Sequence, residues 1–130
     1  MTEPLTALVV MSPERSCELT PCLAGLAARV VTAATCGEAA VRMRLEADIR
    51  VVLTDLSLPD GSWCDVLTQA GDLQPAAEVV VCSRLADERL WTQVLEAGGF
   101  DVLSEPYYDA EVRRVFRAAA LGRHHLAAAV

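Results

Sequence analysis

Acidic and hydroxyl side chains follow several strand-length apolar runs of this 130-residue chain. Asp55 closes the run that begins at Val51, Ser83 follows the run that ends at Cys82, and Glu105 stands shortly after the last run. Carboxylates and hydroxyls at such positions bind cations or accept transferred groups. The carboxyl ends of parallel strands meet at one edge of a sheet, so these groups are expected to share a pocket. Two carboxylates in one pocket repel each other unless a cation lies between them.

Arg84 is the candidate for that cation, because it directly follows Ser83. A guanidinium is planar and carries several donors, so it is suited to bridging two carboxylates. We therefore predict that Arg84 pairs with Asp55 and Glu105. The alternative is a solvated arginine at the start of a loop.

Five apolar runs have the length of strands: residues 7–10, 29–33, 51–54, 78–82 and 100–103. They are nearly continuous in Val, Leu and Ala and do not alternate with polar residues. This pattern is typical of strands that are buried on both faces of a parallel sheet.

The first two intervening segments carry helix start signals. Ser12 followed by proline predicts the cap and first residue of helix one, and Pro21 predicts a kink or a restart at Thr20. Thr35 and Glu38 have capping-box spacing, and the apolar residues Val41 and Leu45 follow one turn apart.

The last three helices are predicted from apolar residues at helical spacing. These are Trp63, Val66, Leu67 and Ala70; Leu90, Trp91, Val94 and Leu95; and Val112, Val115, Phe116 and Ala119. Ser62 caps the first of these helices and Gly98 ends the second. The order is therefore (βα)5, which predicts an α/β doubly wound three-layer sandwich around a parallel five-stranded sheet.

Composition and charge exclude several classes of protein. A hydrophobic fraction of 53% over 130 residues fits one domain with one core. The net charge of −7 argues against direct binding to nucleic acid or to a membrane surface. No apolar run approaches the roughly 20 residues of a membrane span, and we expect a cytoplasmic protein. The five cysteines are scattered, which argues against a zinc site or a disulfide framework.

The sequence Val-Val-Leu-Thr-Asp-Leu-Ser-Leu-Pro-Asp-Gly-Ser at residues 51–62 resembles the phosphoacceptor segment of response-regulator receiver domains. The similarity extends over residues 5–121 and includes the Glu-Ala-Gly-Gly sequence at 96–99 and the Glu105-Pro106 step. It implies the flavodoxin-like strand order 2-1-3-4-5 and a role in two-component phosphorelay signalling. The receiver domain would occupy residues 1–121, with 122–130 as a tail or the start of a linker.

In that family, two acidic residues after strand one and the acceptor aspartate bind Mg²⁺, a Ser or Thr contacts the phosphoryl group, and a lysine pairs with it. The resemblance places Asp55 at the acceptor position and Ser83 at the hydroxyl position. Met11 and Ser12 stand in place of the acidic pair, and Glu105 stands in place of the lysine. A thioether is a poor ligand for Mg²⁺. The resemblance therefore implies an atypical receiver with no metal and with weak or absent Mg²⁺ binding.

Two functions are compatible with this pattern. The first is a phosphorylation-independent receiver that is not an enzyme and acts by protein-protein interaction. The alternative is a functional receiver that a histidine kinase phosphorylates on Asp55 through an unconventional site. A flavin-binding protein or a phosphatase on the same fold is disfavoured, because Met11 and Ser12 begin no phosphate loop and Ser57 replaces a second aspartate.

The expected partner is a signalling protein, either a histidine kinase or an output domain, and a homodimer is a further candidate. The contact face would combine helix four, strand five and helix five. Trp91, Tyr107 and Tyr108 fall in this region, and aromatic residues are enriched at interfaces. Val102 takes the position of the aromatic residue that moves on activation in the family. Core packing is the alternative for Trp91 and Val102.

Overall fold

The computed structural model describes residues 3–85 and 87–122, apart from the side chains of Glu3 and Ala28. The elements within these ranges are β1 (Glu3–Val10), α1 (Pro13–Leu23), β2 (Ala27–Ala33), α2 (Cys36–Leu45), β3 (Ile49–Asp55), β4 (Ser57–Leu58), β5 (Gly61–Ser62), α3 (Trp63–Gly71), β6 (Glu78–Ser83), α4 (Glu88–Ala97), β7 (Asp101–Ser104) and α5 (Asp109–Ala120). Apart from Gly122, the predicted tail at 122–130 lies outside the described residues.

The five long strands form one parallel sheet in the order β2-β1-β3-β6-β7. Renumbered over these strands alone, the order is 2-1-3-4-5, which confirms the predicted flavodoxin-like α/β fold. Each predicted apolar run lies in one of these strands, although Phe100 comes just before β7. The sequence analysis missed the small antiparallel hairpin of β4 and β5, whose strands have only two residues each.

Helices cover both faces of the sheet. One face packs against α1 and α5 through a buried cluster that includes Leu19, Phe100 and Phe116. The other face packs against α2, α3 and α4 through a cluster that includes Val66 and Val94. This arrangement confirms the predicted three layers. It also leaves the carboxyl ends of the strands as the edge where loops and helix starts meet.

Helix α1 runs without a break from Pro13 to Leu23, so the predicted restart at Thr20 is wrong. Pro21 removes one backbone N–H, but it lies in the last turn, where the loss of a single hydrogen bond does not divide the helix. The predicted cap is present, because the Ser12 hydroxyl accepts from the backbone N–H of Arg15 at 3.4 Å.

Helix α2 differs from the prediction in its buried face. Val41 and Leu45 are exposed, whereas the helix packs against the sheet through Cys36, Ala39 and Met43. The buried residues recur at i, i+3 and i+7, so they form a helical stripe as regular as the predicted one. The Thr35 hydroxyl accepts from the N–H of Glu38 as predicted. The Glu38 carboxylate accepts from the N–H of Ala34, whereas a capping box requires it to accept from the N–H of Thr35.

The last three helices lie where the apolar spacing predicts them, although Trp91 of α4 is exposed. Ser62 and Asp65 form a capping box at the start of α3. Gly98 ends α4 with a positive φ of 103°, a conformation that glycine adopts without steric cost. The predicted core residues of α5 are all buried. Within the described part of the chain, no helix combines the length and the hydrophobicity needed to cross a bilayer.

Candidate functional site

The candidate site lies at the carboxyl edge of the sheet. Asp55 ends β3, and its neighbour across the strands is Cys82, directly before Ser83 at the end of β6. Glu105 follows β7, and its backbone N–H donates to the carbonyl of Ser83 at 3.0 Å. Met11 follows β1 at the same edge. The strand order therefore brings the predicted site positions to one end of the sheet.

The cation between the two carboxylates is Arg15, from the first turn of α1. Its Nε lies 2.8 Å from Oδ2 of Asp55, and its Nη1 lies 3.4 Å from Oε1 of Glu105. The side chains of Arg15, Asp55 and Glu105 are only 16%, 19% and 15% exposed. The three side chains thus form a mostly buried ion triad that joins α1 to the ends of β3 and β7.

The prediction for Arg84 needs correction. Its Nε lies 3.5 Å from Oε2 of Glu105, but the ion pairs among the described residues do not join it to Asp55. The Arg84 side chain is 78% exposed, because it projects from the loop after β6. The prediction of a cation between Asp55 and Glu105 is confirmed, but that cation is Arg15 and not Arg84.

One sequence signal could have identified Arg15. It stands in the first turn of a predicted helix, where the macrodipole disfavours positive charge. A cation at such a position suggests a nearby anion that compensates for this cost. The first turn of α1 also begins at the carboxyl end of β1, next to the end of β3.

Both oxygens of the Asp55 carboxylate have partners. Oδ2 contacts Arg15, and Oδ1 accepts from the backbone N–H of Leu56 at 2.8 Å. The neighbouring Ser83 hydroxyl accepts from the N–H of Leu85 at 3.2 Å and donates to the carbonyl of Leu85 at 3.3 Å. Asp55 is thus bound to Arg15 and to its own loop, and Ser83 is bound to the loop before α4.

Met11 and Ser12, which stand in place of the acidic pair, contribute to packing and helix capping. Met11 is buried in the core cluster beneath α1 and α5. Ser12 is the cap of α1. Across residues 3–85 and 87–122, no group of three or more His, Cys, Asp or Glu side chains is arranged as a metal site.

Tyr107 and Cys82 lie beneath the ion triad. Burial raises the pKa of the Cys82 thiol to about 12. Burial is also the main reason that the pKa of Tyr107 lies above its ordinary value, and the neighbouring Cys82 and Glu105 raise it further. Tyr107 packs against the core, and its buried hydroxyl lies beside the Cys82 thiol. It is therefore poorly placed to serve as the predicted interface residue.

The other predicted interface residues lie along α4, β7 and the start of α5. Trp91 is 40% exposed, and its Nε1 donates to Oδ1 of the buried Asp101 at 3.2 Å. The alternative that Trp91 packs in the core is therefore wrong, because it belongs to neither buried cluster. Tyr108 is exposed before α5, and Val102 is half-buried in β7, which is an edge strand.

The turn after Asp55 is fastened to α2. The Asp60 carboxylate accepts from the backbone N–H groups of Cys36 at 2.7 Å and Gly37 at 3.0 Å. These bonds hold the pKa of Asp60 below its ordinary value. A Cβ at Gly61 would lie 2.5 Å from Oδ2 of Asp65 and 2.9 Å from Sγ of Cys36, which explains why a glycine follows Asp60.

Substitution of Asp60 by asparagine is expected to destabilise the fold in a pH-dependent way. The folded-state pKa of Asp60 is lowered, so its stabilising contribution is present above the ordinary aspartate pKa and disappears as the pH falls through the folded value. Urea unfolding of both proteins between pH 7 and pH 3 should show a difference in stability that shrinks with acidification. A difference that stays constant over this range would contradict the role of the Asp60 charge.

Comparison with known proteins identifies the family. Residues 16–117 match the family model described as the response regulator receiver domain. The chain belongs to this family. The receiver domain is 39% identical to the transcriptional regulatory protein KdpE of Mycobacterium tuberculosis over 103 residues, which is 78% of this chain and 43% of KdpE. It is 25% identical to the chemotaxis protein CheY of Thermotoga maritima over 79 residues, 61% of this chain and 66% of CheY.

Solved structures show the same fold. The CheX-CheY-BeF3-Mg²⁺ complex from Borrelia burgdorferi contains a chain with a TM-score of 0.74 and 22% identity, and the match covers 88% of both chains. DrrB, an OmpR/PhoB homologue from Thermotoga maritima, has a TM-score of 0.74 and 24% identity over 94% of the receiver domain and 55% of DrrB. The matched region thus spans less than half of KdpE and about half of DrrB.

Proposed function

We propose that this receiver domain signals without accepting phosphate and that it acts as a protein-binding module, not as an enzyme. The observation that carries the proposal is the contact of 2.8 Å between the Arg15 guanidinium and Asp55. In a phosphorylated receiver this carboxylate must act as the nucleophile. Here one oxygen is paired with a cation from the same chain and the other accepts a backbone hydrogen bond.

The residues around Asp55 do not fit a bound Mg²⁺. This ion requires hard oxygen ligands at near-octahedral geometry, and Met11 offers a soft sulfur that is buried in the core. The Ser12 hydroxyl is neutral and already accepts the hydrogen bond that caps α1. The positive Arg15 guanidinium beside Asp55 also repels a divalent cation. We therefore propose that this domain uses no Mg²⁺.

Glu105 further disfavours an acyl phosphate. Two unit charges about 4 Å apart interact by ~4 kcal/mol at an effective dielectric constant near 20. A lysine would contribute an attraction of this order to a phosphoryl group, whereas a glutamate contributes a repulsion. Arg15 neutralises part of the negative charge of Glu105. Because the same guanidinium also pairs with Asp55, it cannot replace the missing lysine as a partner for a phosphoryl group.

The switching residues support the same proposal. The hydroxyl of Ser83 forms hydrogen bonds with the backbone of Leu85. Within the described residues, it forms none with Asp55. Val102 has no polar tip that could follow a movement of Ser83. Signalling would then depend on a partner that binds the unphosphorylated domain in this conformation. The candidate partners are a histidine kinase, an output domain or a second copy bound through α4, β7 and α5.

Incubation with acetyl phosphate and Mg²⁺ tests the proposal. No phosphoryl mass gain on Asp55 is expected by intact-mass and peptide mass spectrometry. The Asp55→Asn variant provides the control for modification elsewhere. A stable mass gain that Asp55→Asn abolishes would support the alternative, a receiver phosphorylated through an unconventional site.

A further inference from the structure

The outward face of α5 carries a cluster of arginines. Arg113, Arg114 and Arg117 are all exposed. None of the ion pairs found among residues 3–85 and 87–122 includes any of them. Within the same residues Arg15, Arg29, Arg42 and Arg84 contact carboxylates, whereas Arg44, Arg50 and Arg89 do not. What distinguishes α5 is that three such arginines lie within five positions of one helix. We call the three arginines the α5 ridge.

Helix geometry makes the ridge continuous. At about 100° per residue, Arg113, Arg117 and Arg114 span an arc of roughly 100°. This arc is centred opposite the buried face, which consists of Val112, Val115, Phe116 and Ala119. Leu121, one turn beyond Arg117, is exposed and follows the same stripe. The ridge thus presents three guanidinium groups and one apolar side chain to solvent.

The ridge contrasts with the charge of the rest of the chain. The receiver domain has 11 basic and 18 acidic residues, so three exposed arginines grouped on one helix face form a local exception to the acidic balance of the chain. Asp109 and Glu111 lie in the first turn of α5, where the helix macrodipole favours them. Packing does not require the ridge, because its side chains lie on the face directed away from the core.

We propose that the α5 ridge binds an acidic segment of a partner protein, which deepens the proposed binding function by naming the chemistry of the partner. Guanidinium groups bind carboxylates through paired hydrogen bonds and are weakly hydrated, so arginine suits this recognition. Leu121 adds an apolar contact at the end of the stripe. A partner helix or strand with several Asp or Glu residues and one apolar anchor fits this surface.

The overall charge favours a short acidic segment over a polyanion. The Debye length is about 8 Å at physiological ionic strength. A short segment on the ridge therefore experiences mainly the three arginines, whereas a DNA duplex or an anionic membrane also meets the acidic surface around them. The net charge of −7 repels such extended polyanions.

A peptide titration tests the α5 ridge. The probe is a fluorescent 12-residue peptide with six glutamates and two leucines, and a peptide with glutamines in place of the glutamates is its control. Anisotropy should show binding of the acidic peptide alone, weakened at least about tenfold between low and 0.5 M salt. The double variant Arg113→Glu, Arg117→Glu should bind at least about tenfold more weakly than the unchanged domain.

Arg44→Glu with Arg50→Glu provides the matched control, because it makes the same change in net charge at two exposed arginines elsewhere. This variant should retain binding, and circular dichroism should show both double variants folded. Absence of binding, equal losses in both variants, or tighter binding of duplex DNA or phosphatidylglycerol vesicles would overturn the proposal. The acetyl phosphate experiment is independent, so phosphorylation of Asp55 would refute the proposed function without deciding the role of the ridge.

Discussion

Replacement of Arg15 by alanine is expected to lower the free energy of unfolding by about 3 kcal/mol. The change leaves Asp55 and Glu105, which are 19% and 15% exposed, without the cation between them. The effect is large because, among the described residues, Asp55 loses its ion-pair partner and Glu105 keeps only its contact with the exposed Arg84. Urea unfolding monitored by circular dichroism measures the loss.

Arg84→Ala is the matched control for this variant. It removes an arginine that also contacts Glu105, but the side chain is 78% exposed and such pairs contribute about 0–1 kcal/mol. Adding Glu105→Gln to Arg15→Ala should recover part of the loss, because it removes one of the two repelling charges. Equal effects of Arg15→Ala and Arg84→Ala would show that the triad does not stabilise the domain.

Reconstruction of a metal site should produce the largest functional change. The variant combines Met11→Asp, Ser12→Asp and Glu105→Lys with Arg15→Ala. It supplies two carboxylates for Mg²⁺, restores a cation for the phosphoryl group and releases Asp55 from its internal partner. We expect binding of beryllofluoride in the presence of Mg²⁺ to change from undetectable to a measurable isotherm. Removal of the repulsion at Glu105 alone is worth ~4 kcal/mol, or about a thousandfold in affinity.

Calorimetry and the fluorescence of Trp63, which lies just after β5, provide the measurements. Two controls isolate the cause. Glu105→Lys alone should remain inactive because Met11 and Ser12 still provide no acidic ligands, and Asp55→Asn in the reconstructed background should abolish binding. The unchanged domain should show no isotherm, and saturable binding of Mg²⁺ and beryllofluoride to it would refute the proposed function directly.

The sequence predicted most of the fold because buried parallel strands have a distinctive composition. Runs such as 51–54 and 78–82 contain almost only apolar residues, and Gly98 marks a helix end by a conformation that other residues avoid. The face of α2 was mistaken because two apolar stripes with helical spacing compete there. Val41 and Leu45 form one stripe, and Cys36, Ala39 and Met43 form the other, which the structure buries.

The site was predicted only in part because its decisive contact is not local. The strand ends gave Asp55, Ser83 and Glu105, since these positions follow from the fold and the family resemblance. Arg15 reaches Asp55 across 40 positions of the sequence, and its side-chain direction is set by the start of α1. Arg84 was favoured because it is next to Ser83 in sequence, although the loop directs it toward solvent.

The hydrogen bonds of Asp60 have a consequence for how motion spreads through the domain. The turn that precedes α3 is bonded at its tip to the first amides of α2, so the two units must shift together. Only a short stretch of backbone separates this tip from Asp55. A ligand that tilts the second helix would therefore pull on the loop of the acceptor carboxylate, and amide exchange at Cys36 and Gly37 should report any disturbance that begins at Asp55.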